Sequence, residues 1–143
     1  MENGMGPSRI EHIGIAVKDL GAAIGVYEKL LGVPCYGVEE VPDQSVRTAF
    51  FRLGHSKIEL LESTSPDGPI AKFIEKRGEG IHHIAYAVDD IRGTLRELAA
   101  GGVRLIDGEP RKGAEGLSIA FVHPDSACGV LSEMTESGRT PHD

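Results

Sequence analysis

A chain of 143 residues has room for one compact domain, or for two small modules sharing a core. Its net charge of −7 argues against the basic face that a nucleic-acid partner needs. Its apolar runs fall well short of the ~20 residues of a membrane-spanning helix. Two cysteines, Cys35 and Cys128, make neither a disulfide framework nor a zinc motif, and read as small buried hydrophobes.

In chain order, residues 1–9 have neither an apolar signal region nor an Arg-rich amphipathic pattern, and read as a flexible leader of a soluble, cytoplasmic protein. Residues 10–17, IEHIGIAV, alternate as a strand does. Ile13, Ile15 and Val17 fall on one face, and His12, Gly14 and Ala16 on the other. Asp19 offers an N-cap to a helix over 20–31, where Leu20, Ile24, Tyr27 and Leu31 recur at helical spacing. Gly32 ends it, with Pro34 beyond. Strands are expected at 34–41, 46–53 and 56–62, the last two joined at Gly54-His55. A linker over 67–78 contains a short helix from 69 to 76. A strand at 81–88, a cap at Asp90, a helix over 91–100 and a stop at Gly101-Gly102 follow. Further strands are expected near 103–108, 117–122 and 129–135, and then a polar tail over 137–143.

The two halves are copies. HIGIAVKDL at 12–20 is answered by HIAYAVDDI at 83–91, an offset of 71, and Ala49-Phe50 by Ala120-Phe121 at the same offset. The second copy then gains three residues in the turn HPDSACG, after which Glu59 of IELLE matches Glu133 of LSEMTE. The fold class is α+β: two tandem βαβββ modules, 10–66 and 79–136, within a single domain over 10–136.

Duplication brings equivalent positions together about a pseudo-twofold axis, and the equivalent polar positions are His12 with His83 and Glu59 with Glu133. His12 shares its strand face with Gly14 and Ala16, and His83 with Ala85 and Ala87, so there is room over each imidazole. Two imidazoles and two carboxylates suit a borderline divalent cation such as Co²⁺, Ni²⁺, Zn²⁺ or Mn²⁺. His82 falls on the opposite strand face and reads as structural or supporting. His55 sits in a turn, His123 precedes Pro124 and His142 lies in the tail, so none of these is a chosen ligand.

The βαβββ repeat with its His-Glu-His-Glu set resembles the vicinal oxygen chelate (glyoxalase) superfamily. Within it, the chain resembles the methylmalonyl-CoA epimerase family. IEHIGIAVKDL, PIAKFIEKRGEGIHHIAYAVDDI and the run IAFVHP to GVLSE carry that closer likeness over most of 10–136. The resemblance implies sheets that enclose one metal-containing cleft, a homodimer, and a role in propionate metabolism. It implies a divalent metal ion, cobalt before nickel, zinc or manganese, held by His12, Glu59, His83 and Glu133. It also implies interconversion of (2R)- and (2S)-methylmalonyl-CoA by α-proton transfer through a metal-stabilised enolate.

Some family members carry Gln at the position of Glu59 and a Glu base at the position of Thr48. Thr48 cannot be a base near neutral pH, so Glu59 and Glu133 are expected to be both ligands and proton carriers. Gln44, which also matches the family, is expected to line the cleft. Arg111 and Lys112 are candidates for the coenzyme A phosphates. Glu115, Leu117, Ser118 and Asp125 stand where the family often has basic or His residues. The alternatives are a glyoxalase I-like lactoylglutathione lyase, an iron dioxygenase, which the fourth ligand disfavours, and a metal-free binding module on the same scaffold.

Overall fold

The computed structural model describes residues 6–136, so most of the expected leader, the tail and His142 lie outside the described residues. The chain forms two compact units, one of His12–His82 and the other of the described residues up to Glu11 and from His83 onward.

In the first unit, β1 (Arg9–Ala16, from His12 on), α1 (Leu20–Leu31), β2 (Gly37–Val41), β3 (Val46–Leu53) and β4 (Ser56–Ser63) precede α2 (Pro69–Arg77). The strands lie in the order β2-β3-β4-β1, antiparallel except for the parallel β4–β1 pair. A parallel neighbour needs a crossover. Leu20, Ile24, Tyr27 and Leu31 of α1 supply the apolar stripe that covers it, closing on Val17, Ala49, Phe51 and Leu60. Ile15 joins this core while His12, Gly14 and Ala16 face away from it, as strand parity requires.

The second unit repeats the plan. β5 (Gly80–Val88, from His83 on), α3 (Ile91–Ala100), β6 (Arg111–Lys112), β7 (Ser118–Val122) and β8 (Ser132–Glu136) lie in the strand order β6-β7-β8-β5, again parallel only at the β8–β5 pair. Its core joins Val88, Ile91, Leu95, Ala120, Val122 and Met134.

The starts of α1 and α3 are each capped twice over, in the same way. The Asp19 carboxylate accepts from the Ala22 backbone and the Asp90 carboxylate from Gly93, each at 3.1 Å. A second carboxylate from the last strand reaches the next orphan donor. Glu62 accepts from Leu20 N at 3.3 Å, and Glu136 from Ile91 N at 3.2 Å. Gly32 ends α1 in the left-handed conformation at φ 70°, its N–H returning to the Glu28 carbonyl.

Three expectations shift. Residues 103–108 form no strand beyond a single bridge from Leu105 to Val122, and Arg111–Lys112 takes the edge position. The segment 103–108 instead wraps the strand, with Ile106 and Asp107 both donating to the Phe121 carbonyl. β2 begins at Gly37 rather than 34: Pro34 has no N–H to give a ladder, and the Cys35 N–H donates to the Glu28 carboxylate instead. Cys128 is exposed rather than buried, since it sits at φ 56° in the inserted turn, away from the core, while Cys35 is half-buried beside α1.

Candidate metal and acid–base site

In the first unit, β4 runs between β1 and β3, so Glu59 has Gly14 on one side and Phe50 on the other. Gly14 has no side chain to fill the space beside the carboxylate. His12 Nδ1 lies 3.3 Å from Glu59 Oε2, and both residues are buried. Lys57, two residues earlier on the same strand face, brings its ammonium to 3.4 Å from the same oxygen and lies over the Phe50 ring at 5.7 Å.

The second unit has the matching register. Glu133 has Ala85 on one side and Phe121 on the other. His83 Nε2 lies 3.3 Å from Glu133 Oε1, and the imidazole meets the Phe121 ring edge-on at 5.8 Å. The Thr135 hydroxyl donates to Glu133 Oε2 at 2.6 Å, which leaves Oε1 for the imidazole side. The equivalence of Gly14–Glu59–Phe50 with Ala85–Glu133–Phe121 places the three extra residues where the sequence put them, in the turn after Val122.

A buried carboxylate beside a buried imidazole suits a divalent ion, and each unit offers such donors among the described residues. His12, Glu59, His83 and Glu133 are all buried, and Glu11 is grouped with His12 and Glu59, so ligand-type side chains are concentrated where water is excluded. The donor chemistry fits a metal.

The remaining candidates differ in exposure and partners. Gln44 ends a short 3-10 turn, Pro42–Gln44, and its Nε2 is buried without a hydrogen-bond partner among the described residues. Arg111 is exposed, pairs with Asp107 Oδ2 at 3.4 Å, and lies over the Phe121 ring at 5.5 Å, on the ring that touches His83. Lys112 is exposed. Thr48 is buried on the Phe50 face of β3, across from Leu61. His82 turns away from this face and meets Phe73 of α2 edge-on at 5.0 Å. Burial lowers its pKa from 6.5 to about 4.

A profile of the glyoxalase/bleomycin resistance protein/dioxygenase superfamily matches residues 11–121. The chain belongs to this superfamily. Within it, the chain is 40% identical to the ethylmalonyl-CoA/methylmalonyl-CoA epimerase of Cereibacter sphaeroides, over 90% of this chain and 97% of that one. An uncharacterized Bacillus subtilis protein, YqjC, is 42% identical over 94% of this chain and 96% of its own. A Streptomyces coelicolor methylmalonyl-CoA epimerase variant, solved with 2-nitronate-propionyl-CoA, superposes with a TM-score of 0.90 at 36% identity, covering 94% of this chain and all of that one. The relatives that carry an epimerase name are isomerases, which bears out the resemblance drawn from the motifs.

Lys57 and Thr135 are the residues that sequence reasoning passed over. Both were open to a simple rule, since period two along a strand puts residues 57 and 135 on the faces of Glu59 and Glu133. What hid them was type. A lysine on a strand reads as solvated and a threonine as a strand former.

Proposed function

We propose that this protein is a metal-dependent epimerase of methylmalonyl-CoA, with His12, Glu59, His83 and Glu133 as ligands of one divalent ion. The observation that supports it is the twice-built, buried His–Glu pair in a chain whose relatives include epimerases of acyl-CoA substrates. Cobalt is the first candidate for the ion, and the working form is a cytoplasmic homodimer serving propionate metabolism. Among the described residues no helix is long and apolar enough to cross a membrane.

The proton to be moved lies between a thioester carbonyl and a carboxylate. A divalent ion bound at this site supplies Lewis-acid stabilisation of the negative charge that develops on the substrate oxygens. One carboxylate, Glu59 or Glu133, takes the α-proton as the C–H electron pair moves into the thioester carbonyl. The other, carrying a proton, returns it to the opposite face of that carbon, and the configuration inverts. Each carboxylate is then reset by exchange with solvent, and the reverse reaction exchanges their roles. Thr135 fixes one of the pair by holding Glu133 Oε2, which keeps the reacting oxygen oriented. His12 and His83 each stand beside the carboxylate of their own unit. Gln44 offers its unpartnered amide N–H to a substrate oxygen, and Arg111 and Lys112 offer exposed cations to the coenzyme A phosphates.

A coupled assay on (2R)- and (2S)-methylmalonyl-CoA, with and without chelator, tests this reading. Turnover that is lost on metal stripping and restored by Co²⁺ is expected. Inactivity on both epimers, with turnover of methylglyoxal plus glutathione, would move the protein to the lyase branch of the superfamily.

A further inference from the structure

The duplication is broken at one charged position. Each unit places a buried carboxylate between a small residue and a phenylalanine, but the two carboxylates are held differently. Glu133 is held by the neutral Thr135 hydroxyl. Glu59 is held by the ammonium of Lys57, a lysine only 3% exposed. Burying an ammonium is costly unless its charge is used, so the charge of Lys57 calls for a role. The position that matches Lys57 in the second unit is Leu131, which carries no charge.

Charge counting shows that role. Glu59, Glu133 and Glu11, a buried carboxylate grouped with His12 and Glu59, carry three negative charges; a divalent ion and the one proton moved in the reaction cancel them, and the imidazoles add none. An acyl-CoA with a free carboxylate brings further negative charge into a site with no positive charge left over. We propose that Lys57 is a positioning residue that balances the charge of Glu59, so that the site can accept an anionic substrate. This rests on the metal-dependent epimerase reading above.

The inference has a signature that a packing role does not share. Removing the ammonium takes a like charge away from the metal and an unlike charge away from the substrate, so the two affinities should part. In Lys57→Met, which keeps the apolar stem, calorimetry on the metal-stripped protein should show Co²⁺ bound at least as tightly as in the wild type. The Kd of the Co²⁺-loaded protein for 2-nitronate-propionyl-CoA should rise about tenfold or more. In the double variant Lys57→Met/Glu59→Gln, which has lost one charge of each sign, that Kd should return to within about threefold of the wild type.

An unchanged analogue Kd in Lys57→Met overturns the inference. So does a loss of Co²⁺ and analogue binding together with no recovery in the double variant. Should Lys57→Met fail to fold, Lys57→Gln, which keeps a donor for Glu59 and removes the charge, takes its place: an analogue Kd raised about tenfold or more supports the inference, and an unchanged one overturns it. A wild-type protein that binds neither Co²⁺ nor the analogue overturns the epimerase reading and this inference with it. Wild-type binding with an indifferent Lys57→Met overturns the inference alone.

Discussion

Thr135 donates its hydroxyl hydrogen bond to Glu133 at 2.6 Å, from a residue that is itself fully buried. Thr135→Val keeps the shape and removes the donor, leaving one carboxylate oxygen without it. We expect a loss of about 1–3 kcal/mol in unfolding free energy, and a fall of about 10- to 100-fold in metal affinity or turnover. Urea unfolding, metal titration and the epimerase assay read these separately. Thr135→Ser, which restores the hydroxyl, should recover most of the turnover.

Glu59→Gln keeps an oxygen ligand and removes a proton carrier. The variant should retain metal by elemental analysis and lose about 10²- to 10⁴-fold in turnover, the range for a missing general acid or base. Exchange of the substrate α-proton with deuterated solvent should survive in one epimer and fall in the other. Wild-type turnover in Glu59→Gln would remove Glu59 from the proton path.

Asp19 and Asp90 occupy equivalent caps, each accepting at 3.1 Å from the third residue on. Asp19→Ala and Asp90→Ala should each cost about 1 kcal/mol, measured by urea denaturation. Because Glu62 and Glu136 satisfy separate donors of the same helix turns, Asp19→Ala with Glu62→Gln should cost more than either change alone.

His82 titrates at about 4 in the folded protein because burial against Phe73 disfavours its charged form. The unfolded chain, with the ordinary value of 6.5, binds the proton more readily between these two points. Stability from this group is therefore complete above about pH 6.5 and is lost as pH falls towards about 4. Moving the metal-free protein from about pH 7 to about pH 5 should cost about 1–2 kcal/mol through His82. His82→Phe should remove that part of the pH dependence, compared by urea midpoints at the two pH values.

Much of the fold was legible because it is written twice. The offset of 71 pairs HIGIAVKDL with HIAYAVDDI, and the α1 and α3 bounds follow from their caps and apolar stripes. Those are local signals: an Asp whose carboxylate reaches a nearby N–H, a run at period 3.6, a glycine at φ 70°. The segment 103–108 was misread because its apolar residues, Val103 and Leu105, do pack on the second core. Burial there comes without a ladder. Periodicity reports burial, and it cannot say whether a backbone finds a neighbouring strand to pair with.

The sequence by itself determined the pairing of His12 with His83 and of Glu59 with Glu133, since a duplication needs no coordinates to be seen. It also determined which strand face His12 and His83 occupy. Only the tertiary structure decided what holds the two carboxylates. Lys57 reaches Glu59 and Thr135 reaches Glu133 because parallel and antiparallel neighbours close over each of these strands. The burial that makes a lysine's charge matter is a property of those neighbours.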